Sequence, residues 1–311
     1  MNSKKANWAF LITVIGTIAL SLGMGILFPA LLDSLFFSNL LSELVCLLPI
    51  MIFVFASEKR PVAFLEFHKI KPGTVCMIAL FTFLSYPFIT LLNLFSQFWV
   101  ENEVTVMIES MDFAELPFGM LYLSIGIIAP VLEETTCRGA FYRSYRKSGS
   151  SFKAMLLSAI IFAVIHLNFN QAAYAFAVGI FAVLLVEATG SLWSSVLYHG
   201  LINGSQVVLM YMTLKADPAA YSQSEALITN DFLLLSVAVY LVLSAITLPP
   251  AWAVLVWISG HEGRRGVLSG IWKHRKEKKD KMLTIPFIAA LILCIVIMIF
   301  SLLAAAWLAY L

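Results

Sequence analysis

Apolar residues in this chain come in long unbroken runs instead of alternating with polar ones. The runs cover roughly 8–31, 39–56, 74–99, 118–141, 152–168, 172–189, 190–212, 231–259 and 283–310. A stretch of about 18 or more residues with few charges reads as a membrane-spanning helix. The pattern therefore predicts an all-α, polytopic transmembrane helix bundle of about nine spans. The last two runs are long enough to tilt or bend. Pro249 and Pro250 lie inside the eighth, so a kink is expected there. Splitting that run would leave a piece too short to cross. With no internal repeat, soluble domain or long linker, residues 1–311 read as a single integral membrane domain.

The polar segments between the runs set the orientation. With the N-terminus in the cytoplasm and the spans alternating, the inside segments hold Lys4 and Lys5, then Lys59 to Lys71, Arg138 to Lys153 and Arg264 to Lys281. That is 19 of the 20 Lys and Arg residues, with Lys215 outside, as the positive-inside rule requires. The acidic loop at 100–117, carrying Glu101, Glu103, Glu109, Asp112 and Glu115, falls outside, and an odd span count places the C-terminus outside too.

Composition agrees: 61% hydrophobic, 12% charged, mean hydropathy +0.91, against about half apolar and a quarter charged in soluble domains. A net charge of +2 gives no reason to expect nucleic acid as a partner. The first run follows Lys4 and Lys5 as a signal peptide would, but it is too long and lacks a small-x-small site, so it reads as a retained span. Cys46, Cys76, Cys137 and Cys294 have neither disulfide nor metal-ligand spacing and read as small core residues. Trp8, Trp99, Trp193, Trp257 and Trp307 lie near span ends and suit an aromatic belt. The basic run Lys273 to Lys281 reads as an anchor on anionic lipid.

Ionisable groups inside spans are costly and mark function. They concentrate in one third of the chain, and the spans elsewhere are nearly free of charge. Span four ends in Glu133, Glu134 and Arg138. Span five carries Phe162 and His166, and span seven carries His199 and Asn203. At ~1.5 Å of rise per residue, Glu133 lies ~18 Å above the cytoplasmic edge, His166 ~21 Å, His199 ~14 Å and Asn203 ~20 Å. All are near mid-depth of a core ~30 Å thick. Glu134 and Arg138, four apart, can pair on one face, while Glu133 points about 100° away and is freer to act. His199 and Asn203, also four apart, can converge on one small target, and Phe162 can pack against the His166 ring. Residues 118–212 thus read as the catalytic core.

Two chemistries fit. A glutamate and two histidines (Glu133, His166, His199) can bind zinc and activate water. Without metal, Glu133 can take a proton from water oriented by His166, while His199 and the Asn203 amide donate to an oxyanion. Both schemes hydrolyse an acyl bond, and a peptide bond is the expected one.

The sequence Glu133-Glu134-Thr135-Thr136-Cys137-Arg138, Phe162 to His166 and His199 to Asn203 resembles the CPBP family of intramembrane endopeptidases, which includes CAAX prenyl proteases and bacteriocin-processing or immunity proteins. Thr189 to Trp193 also resembles the family's approach to its third motif. The likeness covers about 118–210, and the three motifs are specific only together. Cys137 stands where an aromatic or aliphatic residue is usual. The resemblance implies Glu133 as general base, His166 positioning water, His199 and Asn203 at the oxyanion, and Glu134 and Arg138 in support. The family is described both as metal-dependent and as using a metal-free glutamate, so zinc and no metal stay equally open.

The expected substrate is a membrane-associated or lipidated protein or peptide, within the lipid bilayer. The rival readings are a non-catalytic scaffold or bacteriocin-immunity factor of the same family, and a proton-coupled transporter. The transporter is disfavoured because its class shows inverted repeats and broken helices in both halves. A loop-poor helical chain without organelle signals fits a multi-pass protein of a bacterial plasma membrane. Glu187, near a span end, is expected to be solvated or paired with a loop, and Thr135 and Thr136 to bond back to their own helix.

Overall fold

The structure, a computed structural model, describes residues 1–27, 35–102, 117–216, 229–277 and 281–308. Among these there are helices and no strands. Nothing in a lipid core can satisfy backbone N–H and C=O groups except the segment itself, which makes helix the only local solution for an open chain of apolar runs. The helices are α1 (Ser3–Leu27), α2 (Leu35–Ser57), the short α3 (Pro61–Leu65), α4 (Pro72–Ser96), α5 (Phe118–Ser148), α6 (Ser151–Val164), α7 (Phe169–Thr189), α8 (Leu192–Ala216), α9 (Asn230–His261), α10 (Val267–Lys273) and α11 (Ile285–Leu308). All nine apolar runs carry a helix. Seven helices are long and apolar enough to cross a membrane by length and composition: α1, α2, α4, α5, α7, α9 and α11. Of the other two, α6 is only 14 residues, and α8 is long but carries His199 and Asn203.

Boundaries differ from expectation at two places that matter. The run ending at 141 continues as helix to Ser148, because Arg143 and Arg146 find carboxylates on neighbouring elements. The run ending at 168 stops being helical at Val164, and Leu167 turns the chain with φ 54°, a conformation rare for a bulky residue. α9 runs unbroken through Pro249 and Pro250.

The helix ends are specified locally. Ser150 and Asn168 cap α6 and α7 by accepting from Lys153 and Gln171 backbone N–H groups. Gly190 closes α7 at φ 74°, where a Cβ would also sit 3.0 Å from the Arg264 guanidinium.

α7 is the central helix: 56% of its apolar window is buried, against 11% for α2 and α9. It packs on α4, α6, α8 and α9, while α1 packs on α2 and α11. Large apolar side chains point outward instead, among them Phe83, Leu234, Ile285 and Phe300, as lipid-facing helices require. The five tryptophans expected near span ends are all exposed, which suits an interfacial belt better than packing. Of the cysteines, Cys137 and Cys294 are buried and Cys46 half-buried, but Cys76 is exposed on α4, so the core reading fails there.

One end of the bundle gathers the basic connectors. The N-terminal amine and Lys147 both reach Glu58. Arg143 pairs with Glu66, whose carbonyl accepts from Leu192 N–H at 3.0 Å. Lys71 meets His261 and Glu262, and Ser150 donates to the Arg275 carbonyl. At the opposite end, Asn170 bonds Asn93 and Ser96. The acidic residues of the 100–117 loop beyond Asn102, and positions 278–280 of the basic run, lie outside the described residues.

Candidate active site within the helix bundle

The site is built on α5, whose hydrogen bonding departs from a plain α-helix. Wider π-type turns occupy Tyr122–Ile128 and Thr135–Tyr142, on either side of a regular segment, Ala129–Glu134. Such widenings recur at functional positions because they rotate the side chains that follow. Thr135 and Thr136 donate to the Val131 and Leu132 carbonyls at 2.7 and 2.9 Å, as expected, so their hydroxyls are satisfied within the helix.

Glu134 and Arg138 form the anchor. Arg138 Nη1 donates to Glu134 Oε1 at 2.8 Å, and both side chains are fully buried. The Arg138 guanidinium also lies 4.1 Å from the Phe162 ring centroid, a cation–π contact that partly offsets its desolvation. Phe162 in turn meets both imidazoles edge-on, His166 at 5.0 Å and His199 at 5.5 Å between centroids.

His166 has the Phe162 contact expected of it, while His199 sits between the two carboxylates. His199 Nδ1 lies 3.0 Å from Glu134 Oε1, and its Nε2 lies 3.7 Å from Glu133 Oε2. His199 therefore bridges the two carboxylates: Glu134 orients one side of the ring and Glu133 faces the other. His166 instead stands in the turn after α6, where its Nδ1–H donates to the Phe162 carbonyl at 2.6 Å, leaving Nε2 as the free ring nitrogen. It joins the cluster through Phe162. The reason is the early end of α6, which folds the His166 ring back over its own last turn.

Asn203 is one turn beyond His199 on α8, and its amide donates to the Ile125 carbonyl of α5 at 3.3 Å. α8 comes this close because glycines meet: a Cβ on Gly126 would lie 3.2 Å from Gly204 Cα. Small residues at such crossings let backbones approach in membranes. Glu133 differs from Glu134 in two ways. Its side chain is 14% exposed, against none for Glu134, and among the described residues none of its oxygens pairs with an arginine as Glu134 does with Arg138; Oε2 of each glutamate has no hydrogen-bond partner among them. It is the carboxylate free to engage something that enters.

Sequence reasoning missed Glu43. It lies within the span formed by α2, which was counted among those nearly free of charge. α2 packs against the Glu133 segment of α5, close enough for the Glu43 and Glu133 carboxyl groups to act on each other electrostatically. A carboxylate inside a run is itself the signal that could have found it, but nothing in one dimension says which helix it faces. Glu187 is not solvated as one expectation had it. It is buried, receives the Tyr142 hydroxyl at 2.7 Å and pairs with Arg146 at 2.9 Å, which is the loop-and-helix-end pairing expected as the other option.

The zinc expectation can be tested on these positions. Among the described residues no group of three or more His, Cys, Asp and Glu side chains is arranged to hold a metal ion. Glu133, His166 and His199 do not converge as ligands, so no step below passes through a metal.

Two carboxylates, an imidazole between them and an amide are thus gathered between apolar helices. Residues 115–205 match the family described as "Type II CAAX prenyl endopeptidase Rce1-like", in line with the resemblance carried by the three motifs, all of which lie in this stretch. No curated protein matches the chain, and no solved structure matches it. The family is one of intramembrane proteases of the CAAX type, and its membrane character agrees with the apolar helices described above.

Proposed function

We propose that the chain is an intramembrane endopeptidase that hydrolyses a peptide bond of a membrane-associated or lipidated protein or peptide. The observation that carries the reading is Glu133: its Oε2 has no hydrogen-bond partner among the described residues and faces His199 Nε2 at 3.7 Å. Glu133 takes a proton from water, and the hydroxide so formed attacks the scissile carbonyl carbon. The carbonyl oxygen becomes an oxyanion that accepts from the Asn203 amide and from protonated His199 Nε2. Glu133 then passes its proton to the leaving nitrogen as the C–N bond breaks. His166 offers a free Nε2 to position water. Glu134, bonded to Arg138 and to His199 Nδ1, holds the imidazole in place.

Residues 118–212 form the catalytic core in this reading. The basic end of the bundle faces the cytoplasm, nine helices cross, and the membrane is a bacterial plasma membrane. Substrate enters from the cytoplasmic side or laterally from lipid.

The deciding experiment compares wild type with Glu133→Gln in liposomes holding a pooled library of membrane-anchored and lipidated peptides, with new termini scored by mass spectrometry. New termini from wild type alone are expected. Identical cleavage by both proteins would overturn Glu133 as the base. Loss of cleavage on adding a chelator would restore a metal to the mechanism. A physiological role that survives Glu133→Gln would favour the scaffold or immunity reading.

A further inference from the structure

A cavity of about 810 Å³ opens at the basic end of the bundle, between the α2–α3 connector and the last turns of α5. Lys59, Arg60, Arg143, Arg146 and Lys147 line it, against two carboxylates, Glu58 and Glu66. Lys147 bonds Glu58 at 2.7 Å, Arg143 pairs with Glu66, and Arg146 turns to Glu187, outside the cavity, at 2.9 Å. Both lining carboxylates are thereby taken. Lys59 and Arg60 are exposed and stand in no ion pair among the described residues, so the wall keeps an excess of positive charge. Arg143 follows Glu133 by ten residues on α5, or ~15 Å along the helix, which sets the cavity apart from the acid–base cluster.

Arg143 supplies a second, independent sign of a ligand. Its side chain is 5% exposed, yet only Nη1 meets Glu66; Nε and Nη2 are buried with no hydrogen-bond partner among the described residues. Buried donors left without an acceptor are costly, and the fork of a guanidinium matches two oxygens of one phosphate. The neighbouring surface is apolar. Ile52 and Phe55 near the end of α2 and Val62 on α3 are exposed, as side chains that face lipid are. A molecule that suits both surfaces carries a phosphate at one end and acyl chains at the other.

We infer that this cavity is a headgroup site for an anionic phospholipid. The Arg143 guanidinium turns its free Nε–Nη2 edge to the phosphate, Lys59 and Arg60 neutralise the headgroup from the rim, and the acyl chains lie along the apolar side of α2. The Glu66 carbonyl also accepts from Leu192 N–H at 3.0 Å, so a lipid seated here steadies the junction at which α8, the helix of His199, begins. None of this depends on the hydrolytic reading.

The test counts bound molecules by native mass spectrometry. Full-length protein, stripped of lipid in a neutral detergent, is titrated with phosphatidylglycerol, with phosphatidylcholine and with inorganic phosphate. One phosphatidylglycerol per chain is expected, bound at least about 10-fold more tightly than either of the others, and it should raise the melting temperature. The exposed pair Lys59→Gln with Arg60→Gln should weaken that binding by about 10-fold or more, the loss of a contact to a charged group. Lys69→Gln with Lys276→Gln removes the same charge outside the cavity and should bind as wild type does. Arg143→Lys keeps the charge but not the fork, and should also bind about 10-fold more weakly.

Equal losses in the two double variants would reduce the effect to diffuse charge and overturn the site. Phosphatidylcholine bound as tightly as phosphatidylglycerol would show that the anion is not what is recognised. Inorganic phosphate bound as tightly would make this a site for a free anion and overturn the lipid. Wild-type binding by Arg143→Lys, or no bound phosphatidylglycerol in the wild type, would sink the inference outright.

Discussion

At the scale of single residues, the site is a chain of contacts in which each group constrains the next. Arg138 fixes Glu134, Glu134 orients His199, and His199 faces Glu133. The first of these is a fully buried ion pair, which is costly to break from one side because it strands a charge. Glu134→Ala is therefore expected to destabilise the protein by about 3–5 kcal/mol in denaturant unfolding in detergent. The double variant Glu134→Leu with Arg138→Met should recover much of that loss, and a double variant as unstable as the single would refute the pairing argument. Asn203 acts differently. If its amide serves the oxyanion, Asn203→Ala should lower kcat by about 10²–10³ with KM little changed. A fall in melting temperature with normal turnover would mark it as structural only, through its bond to the Ile125 carbonyl.

At the scale of elements, the geometry depends on helices that approach more closely than ordinary side chains allow. α6 and α7 meet at Gly179, where a Cβ would lie 2.9 Å from Ala159 Cα and 3.2 Å from the Arg138 guanidinium. Overpacking of this kind costs about 1–3 kcal/mol, so Gly179→Ala should lower unfolding stability by that amount and disturb the anchor beneath it. Gly119 provides the control: a Cβ there meets nothing within 4 Å, and Gly119→Ala should be neutral in the same measurement. The elements also show where pattern reading stops. The apolar runs located α5, but not the π-type turns that re-aim its polar face, because the wider turns depend on neighbours packed around the helix. Likewise the run to 168 hid the end of α6 at Val164 and the His166 bond to the Phe162 carbonyl, though the ring contact between the two follows from their spacing.

At the scale of the whole molecule, the basic connectors meet at one end and Asn93, Ser96 and Asn170 at the other. Labelling tests the alternation expected from the charge pattern. In a background with the exposed Cys76 replaced by serine, Lys59→Cys should react with a membrane-impermeant maleimide only from the cytoplasmic face, and Glu101→Cys only from the outer face. Reaction of both from one side would overturn the nine-pass topology.

Much of this was legible in one dimension. Helical class and membrane character follow from runs of apolar residues, because hydrocarbon demands self-satisfied backbone over a fixed length. The three motifs carried the family resemblance and all the residues that meet around Phe162. What order along the chain does not encode is who faces whom. That His199 meets Glu133, that Glu187 is buried under Tyr142 and Arg146, and that α2 packs on the Glu133 segment depend on rotations and crossings of helices remote in sequence. Periodicity states which face of a helix is polar; only packing decides what that face meets.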